Sequence, residues 1–484
     1  MGVAPRLIDT DFHNDLSSPQ DLLPFLPKAF HQQWLESGIG VGGKPWSSVG
    51  YIRKDAISDI GSKPGSDPVF ALKHHMDKYG IDYAILTGNA SMIGISLNYD
   101  PDYANAVASA HNDWQNEVWL KADPRYKGSI LVSHTDPAAA VKEIERLAGH
   151  PDIVQVMMCS VSRTLLGQRF FHPIYEAAER HGLPVAIHPG NEGIGPSYPP
   201  TPSGYPTRYM EWQNIIPINY MSQVNSLVCE GVFEKFPKLK FVAIEGGISW
   251  LPHLMWRMDK NYKALRDTVP WLKELPSEYI RKHVVLTTQP IEEPADPEHL
   301  VQIIKMSGAE DMIMYSSDYP HWDYDNPKMV LSLFPRELRE KNWCQKCHSA
   351  VRFGSNSRCS RHGGRSGMNK FAVAKVAELR EKGRLIVEVK GMELGIFLVD
   401  GQYYAWRNVC PHAAAPICVG RVSGTRLPSM VYEYEHGRDQ EILRCPWHGW
   451  EFDLKTGHHL VDASVKLRGF PVEADDEDVY VLMK

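Results

Sequence analysis

The densest chemistry in the sequence lies in two short boxes near its end, Cys410-Pro411-His412 and Cys445-Pro446-Trp447-His448. Each box supplies one thiolate and one imidazole. Two irons can divide such a set, one taking both cysteines and the other both histidines, to give a mixed-ligand [2Fe–2S] cluster. Imidazole donates less electron density than thiolate and adds less negative charge, so the potential lies above that of an all-cysteine cluster. A single zinc ion held by two cysteines and two histidines is the alternative. Both boxes fall on loops between strand patterns, not on a helix as zinc fingers require, which favours the cluster. Pro411 and Pro446 restrict these loops, and Gly449 lets the backbone pass close by.

A second set of candidate ligands is scattered. Asp11 and His13 stand two apart on an apolar run, so strand alternation sends both side chains to one side. His188 ends another run in AIHPG, and Asp318 ends a further one in YSSDYPH. Mixed nitrogen and oxygen ligands with room for water suit a divalent ion such as zinc, manganese or iron. Such an ion activates bound water or holds a substrate carboxylate and polarises its oxygens. Singly, each residue has a plainer explanation: a satisfied polar group for the histidines, a helix cap for the aspartates.

Only a particular scaffold brings these positions together. Candidate strands occur at Leu7–His13, Asp82–Gly88, Gly128–Ser133, Ile153–Cys159, Pro184–Pro189, Lys240–Gly246, His283–Gln289 and Met312–Asp318. Helical patterns lie between them, as at Tyr103–Ala122, Ala138–Ala148, His172–His181, Ser249–Arg266 and Pro297–Ser307. Near-continuous apolar strands alternating with helices predict a parallel sheet covered on both faces. Eight such units predict a (β/α)8 TIM barrel, whose functional residues sit at the C-terminal strand ends. No Gly-rich phosphate fingerprint follows the first strand, which weakens the open doubly wound sheet as a rival. Two stretches, Asn14–Lys73 and Asn191–Ser222, break the rhythm where barrels place substrate walls and lids.

Residues 1 to about 340 resemble the amidohydrolase superfamily, in the branch containing aminocarboxymuconate-semialdehyde decarboxylase and aromatic-acid decarboxylases. The resemblance rests on IDTDFH, AIHPG, AIEGGISWLPHLMWRMD and YSSDYPHWD, in that order. It implies that His13, His188 and Asp318 are metal ligands, with Asp11 beside them, and that Asp318 doubles as the acid/base group. Two positions depart from the superfamily pattern. Asp11 stands where the first-strand motif usually has histidine, as it does in some nonoxidative decarboxylases. Glu245 occupies the sixth strand where many relatives have histidine, which makes it a candidate acid/base or partner group. His321 is a further catalytic candidate. Decarboxylation and hydrolysis both remain open.

The phrase NVCPHAAAPIC…LRCPWHGWEFDLKTG resembles Rieske ferredoxins and the Rieske domains of aromatic-ring oxygenases, over residues 369–484. The resemblance implies a small antiparallel β domain whose cluster ligands are Cys410, His412, Cys445 and His448. Cys418 has no counterpart in CPWHGW, so the disulfide-bearing respiratory subtype fits less well. The interval between the boxes is long, and MVYEYEHGRDQ reads as an inserted hairpin. No second histidine–carboxylate iron domain follows, so the expected role is transfer of single electrons to or from a separate reductase or oxygenase.

The stretch 341–368 is basic, unpatterned and rich in Ser, Arg and Gly, and reads as a junction. Cys344, Cys347, Cys359 and His362 have zinc-knuckle-like spacing there, without strands or helices to frame them. The expectation is a joint between two once-separate proteins. Clustered cysteine beside histidine in a chain without a signal-peptide pattern argues for metal over disulfides and for a cytoplasmic location. A net charge of −6 gives no reason to expect a nucleic-acid partner, and no apolar run approaches the roughly 20 residues that cross a bilayer. The expected activity is hydrolysis or nonoxidative decarboxylation of a small aromatic or ring-cleavage carboxylate. Its rival is an electron-transfer protein whose barrel is a silent scaffold. A homo-oligomer is compatible with either.

Overall fold

The computed structural model describes residues 7–38, 52–58, 61–190, 192–194, 199–202, 204–342 and 369–483. The chain divides into two compact units, Met1–Met258 with Glu274–Ala350, and Asp259–Lys273 with Val351–Lys484. The four residues with zinc-knuckle-like spacing lie outside the described residues.

In the first unit, eight strands run β1 (Ile8–Phe12), β2 (Tyr83–Leu86), β3 (Tyr126–Leu131), β4 (Ile153–Cys159), β5 (Val185–His188), β6 (Phe241–Ala243), β7 (Val284–Thr287) and β8 (Ile313–Met314). They form one sheet in sequence order, each pair parallel. The ring closes between β1 and the chain after β8: Thr10 N–H donates to Tyr315 O at 3.1 Å and His13 N–H to Tyr319 O at 2.8 Å. The fold is therefore a TIM barrel. Its strands are buried on both faces, which is why they read as continuous apolar runs.

Helix starts follow one local rule. Asp67, Asp100 and Asp136 each precede a proline, and each carboxylate accepts from the two N–H groups that follow it in the first turn. The carboxylate satisfies donors that the helix leaves free, and proline at the first position loses nothing because its N–H is not needed.

The reading of Asn14–Lys73 and Asn191–Ser222 as long loops needs correction. The first contains the helices His31–Ser37 and Pro68–Ala71, and the second runs into Tyr209–Cys229, a helix of 21 residues with Pro217 inside it. The helix is buried at Trp212, Ile216, Asn219, Tyr220 and Gln223, so aromatic and polar groups share its inner face and leave no simple apolar stripe. The first insertion reaches the end of β8: Ile52 bridges His321, and Arg53 N–H donates to Pro320 O at 2.9 Å.

The second unit is mainly antiparallel. Its strands are β9 (Asn369–Lys375), β10 (Arg384–Val389), β11 (Met392–Val399), β12 (Gln402–Arg407), β13 (Arg421–Leu427), β14 (Glu435–Arg444), β15 (Glu451–Asp453), β16 (Gly469–Phe470), β17 (Val472–Ala474) and β18 (Asp478–Met483). They form three sheets, ordered β10-β11-β12-β16, β13-β14-β15 and β17-β18-β9. The stretch 430–440 helps to build the β13–β14 hairpin, in which Leu427 pairs with Glu435. One short helix, Val376–Lys382, interrupts the expected all-β pattern and ends at Gly383 in the left-handed region. Around Cys410 and Cys445 the core packs Phe397, Trp406, Leu443, Trp450 and Phe452.

Candidate metal and cluster sites

The barrel gathers its scattered candidates at the C-terminal strand ends. One ligand atom each from Asp11, His13, His188 and Glu245 lie within 4.8 Å of one another. His13, Asp318 and His321 form a second such group, and Glu245, Asp318 and Asp323 a third. Asp11, His13, His188 and Asp318 are all no more than 1% exposed. His13 Nε2 lies 2.8 Å from Asp318 Oδ1, and His188 Nε2 lies 3.0 Å from Glu245 Oε2.

The protonation pattern tests whether a cation fits. His13 Nδ1 meets Gly88 O, and His188 Nδ1 meets Pro189 O at 2.7 Å. A carbonyl oxygen only accepts, so each Nδ1 carries the proton and each Nε2 turns a lone pair inward. Thr87 Oγ1 donates to Asp11 Oδ1 at 2.8 Å, whereas Asp11 Oδ2 and both Nε2 atoms are buried without a hydrogen-bond donor. Acceptors face acceptors, and burying unpaired acceptors is costly. A divalent ion resolves the conflict, and mixed imidazole and carboxylate ligands suit one.

The electrostatics agree. Burial pushes His188 down, but Asp11 and Glu245 outweigh it and lift the imidazole well above its ordinary value. Burial likewise lowers His13, and Asp11 and Asp318 reverse the shift. Burial raises Asp318, yet His321 and His13 bring it below the usual carboxylate range; His321 Nδ1 is 2.6 Å away. Glu245 is raised by burial and by Asp318. Asp323 is pushed up to about 10 by burial, Asp318 and Glu245. The upward shifts of His13, His188, Glu245 and Asp323 register the carboxylates around them, and the downward shift of Asp318 registers its two imidazole neighbours.

Backbone conformation marks the same residues. Glu245 (φ 62°) and Asp318 (φ 58°) both occupy the left-handed region, which non-glycine residues seldom adopt. Each is held by its N–H: Glu245 donates to Thr287 Oγ1 at 3.0 Å, and Asp318 to Asp11 O at 3.1 Å.

Three neighbours were not singled out from the sequence. Asp323 follows Asp318 by five residues. Gln289 follows β7, and its strand-end position is the signal that could have found it. Glu192 is buried and accepts from Ser160 Oγ, Gly190 N–H and Asn219 Nδ2 at 2.8–3.0 Å, which ties the helix Tyr209–Cys229 to the end of β5. From that helix Tyr209 OH accepts from Trp322 Nε1 at 3.1 Å, so an aromatic pair stands next to His321 and Asp323.

In the second unit the two boxes meet. The Cys410 and Cys445 thiols interact directly, and the His412 and His448 rings are 4.7 Å apart. Cysteine is thus paired with cysteine and histidine with histidine. The four donors do not gather within 4.8 Å as one zinc ion would require. Backbone N–H groups of His412 and Ala413 point at the Cys410 sulfur, and those of Trp447 and His448 at the Cys445 sulfur. Such N–H donors stabilise thiolates and tune a cluster's potential. Both cysteines are buried and both histidines exposed. Trp450 stacks on His412 at 4.3 Å with an interplanar angle of 4°. Gly449 has φ 69°, the conformation its lack of a side chain permits. Cys418 is packed away, its N–H on Asn408 Oδ1 and its thiol on Trp406 O.

Comparison with known proteins agrees with this division. Residues 8–342 match the amidohydrolase family, and residues 369–471 match the Rieske [2Fe-2S] domain. The chain belongs to the amidohydrolase family and is an enzyme of that class, with a Rieske domain, the bearer of a [2Fe–2S] cluster, at its C-terminal end. It is 25% identical over 264 residues to gamma-resorcylate decarboxylase of a Polaromonas species, covering 52% of this chain and 76% of that protein. It is 29% identical over 105 residues to the ferredoxin component of the naphthalene 1,2-dioxygenase system of Pseudomonas aeruginosa, covering 22% of this chain and 86% of that one. A solved 5-carboxyvanillate decarboxylase from Novosphingobium aromaticivorans, complexed with manganese and 4-hydroxy-3-methoxy-5-nitrobenzoic acid, shares the barrel fold. Its TM-score is 0.53 at 19% identity, covering 71% of this chain and 94% of that one. No helix among the described residues is long and apolar enough to cross a membrane.

Proposed function

We propose that the barrel is a divalent-metal-dependent nonoxidative decarboxylase of a small aromatic carboxylate, and that the Rieske domain exchanges single electrons with a separate redox protein. The observation that carries the first part is the set of inward, donorless acceptors on Asp11, His13 and His188 beside Asp318. Asp11, His13, His188 and Asp318 are the proposed ligands of one zinc, manganese or iron ion. When bound, the ion supplies Lewis-acid polarisation of the substrate's oxygens. Gly88 O and Pro189 O hold the two imidazoles in the required tautomer. Asp318, Glu245 and His321 are the groups placed to hold the proton that replaces carbon dioxide on the ring. Tyr209 and Trp322 offer apolar surface against which a flat substrate can rest.

Similarity to gamma-resorcylate decarboxylase supports decarboxylation over hydrolysis, and Glu245 in place of histidine leaves the acid/base assignment to experiment. In the second unit Cys410 and Cys445 are the proposed ligands of one iron and His412 and His448 of the other. The proposed domain limits are 1–340, 341–368 and 369–484, and the proposed location is the cytoplasm. A rival reading, electron transfer to an oxygenase with a silent barrel, draws on the likeness to a dioxygenase ferredoxin.

Carbon dioxide release from a panel of hydroxybenzoates, measured with manganese-, zinc- and iron-loaded protein, separates the two. Metal-dependent release supports the decarboxylase; a barrel that binds no metal and turns over nothing leaves the rival.

A further inference from the structure

Asp318 is held from both sides by a carboxylate that the proposed reaction does not use. Asp9 lies two residues before Asp11 on β1 and is completely buried. Its Oδ1 accepts from Ser317 N–H at 2.9 Å and from Asp11 N–H at 3.3 Å. Its Oδ2 accepts from Ser317 Oγ at 2.5 Å and from His75 Nε2 at 2.8 Å. The Ser317 hydroxyl in turn accepts from Tyr319 N–H at 3.1 Å. The backbone N–H groups on either side of Asp318 therefore lead to one carboxylate, the first directly and the second through a hydroxyl.

His75, from the helical turn Leu72–Asp77, is also completely buried. A carboxylate only accepts, so Nε2 carries the proton and Nδ1 is free to accept from Tyr324 OH at 3.3 Å. Its ring stacks on Tyr319 at 4.7 Å with an interplanar angle of 15°. Asp9 and His75 thus grip the two neighbours of a residue whose φ is 58°, a conformation that persists only where the surroundings over-determine it. From this backbone Asp318 Oδ1 reaches to 2.8 Å from His13 Nε2 and 2.6 Å from His321 Nδ1.

We infer that Asp9 and His75 are positioning residues: they hold Ser317 and Tyr319 so that the Asp318 carboxylate stays aimed at the imidazole of His13. The inference rests on the reading of Asp318 and His13 as ligands of one divalent ion. Groups that orient a ligand set metal affinity by about 10–100-fold, without touching the ion. An asparagine at position 9 keeps its oxygen on two of the four donors and turns its N–H₂ toward the other two. Alanine at position 317 cuts the link to Tyr319 N–H and leaves Asp9 in place.

The test is the Mn²⁺ affinity of the full-length, cluster-containing chain after chelator treatment, read from the room-temperature EPR signal of free Mn²⁺ well below each variant's unfolding midpoint. The dissociation constant is expected to rise about 10–100-fold in Asp9→Asn and in Ser317→Ala. His75→Phe, which keeps the stack on Tyr319 and loses the donor, should weaken binding in the same direction. Asp100→Ala, which removes a helix cap instead, should lower the unfolding midpoint and leave the affinity as it is, so lost stability alone does not imitate the effect. Wild-type affinity in folded Asp9→Asn and Ser317→Ala overturns the inference and leaves the metal site standing. No Mn²⁺ binding by the wild type overturns the metal site, and the inference with it. If Asp9→Asn fails to fold, Ser317→Ala and His75→Phe decide.

Discussion

The two sites of this chain are built by opposite means. The barrel site takes one or two residues from each of strands far apart in sequence, from Asp11 to Asp318, and its proposed ligands are buried. The Rieske site takes two residues from each of two boxes, buries the cysteines and leaves the histidines at the surface. The first needs a closed barrel before any of its chemistry exists; the second needs two short loops. Under the proposed function the contrast is a division of labour, one centre excluding water around a reacting molecule and the other keeping its edge open to an electron partner.

Substitutions in one site that leave the other untouched test that division. The largest effect is expected for Asp318→Asn, which lowers carbon dioxide release by about 10³-fold through loss of a metal ligand and acid/base group. The cluster's EPR signal should not change. A parallel loss of both signals breaks the division. Next, His412→Cys is expected to keep an iron–sulfur cluster while lowering its potential by on the order of several hundred mV, because thiolate adds negative charge. Decarboxylation should stay within about twofold, an indirect readout of independence. Protein-film voltammetry and a carbon dioxide assay read both outcomes.

Acid sharpens the comparison. His111 and His134 in the barrel are buried without hydrogen-bond partners for their ring nitrogens, and burial pushes both down to about 4. Below the ordinary histidine pKa of about 6.5, the unfolded chain binds protons that the folded barrel refuses. Stability from this source is complete above that value and is lost as pH falls towards 4, by on the order of 3 kcal/mol per histidine. Denaturant midpoints between pH 7 and 5 should fall, and should fall less in His134→Phe; equal slopes remove the assignment. The smallest effect is expected for Asp100→Ala, which deletes a helix cap in the barrel and costs about 1 kcal/mol by thermal unfolding, without altering either metal centre.

The same contrast explains what could be read from the sequence. The Rieske boxes are local, so spacing and flanking prolines were enough to single out candidate ligands. The barrel strands were legible because both faces are buried, and β4 is found at the expected residues, Ile153–Cys159. Asp11, His13, His188 and Asp318 could be singled out as candidates because a barrel gathers its strand ends at one place. Asp323 and Gln289 lie just beyond strand ends in chemically ordinary contexts, and only the folded ring brings them to Asp318. The helix Tyr209–Cys229 was hidden by Pro217 and by an inner face mixing Trp212 and Ile216 with Asn219 and Gln223. The helix Val376–Lys382 is two turns long, too short for its periodicity to stand out between strands.

The left-handed backbone at Glu245 and Asp318 also limits how these positions can vary. Aspartate and asparagine tolerate that conformation several-fold better than most residues, while β-branched side chains are outliers there. Alanine scanning at either site would therefore mix a conformational penalty with the loss of a charge. Exchange of carboxylate for amide isolates the charge. For a lineage, the same backbone keeps open a narrow corridor of replacements through asparagine and glycine, and it closes the routes through valine, isoleucine and threonine.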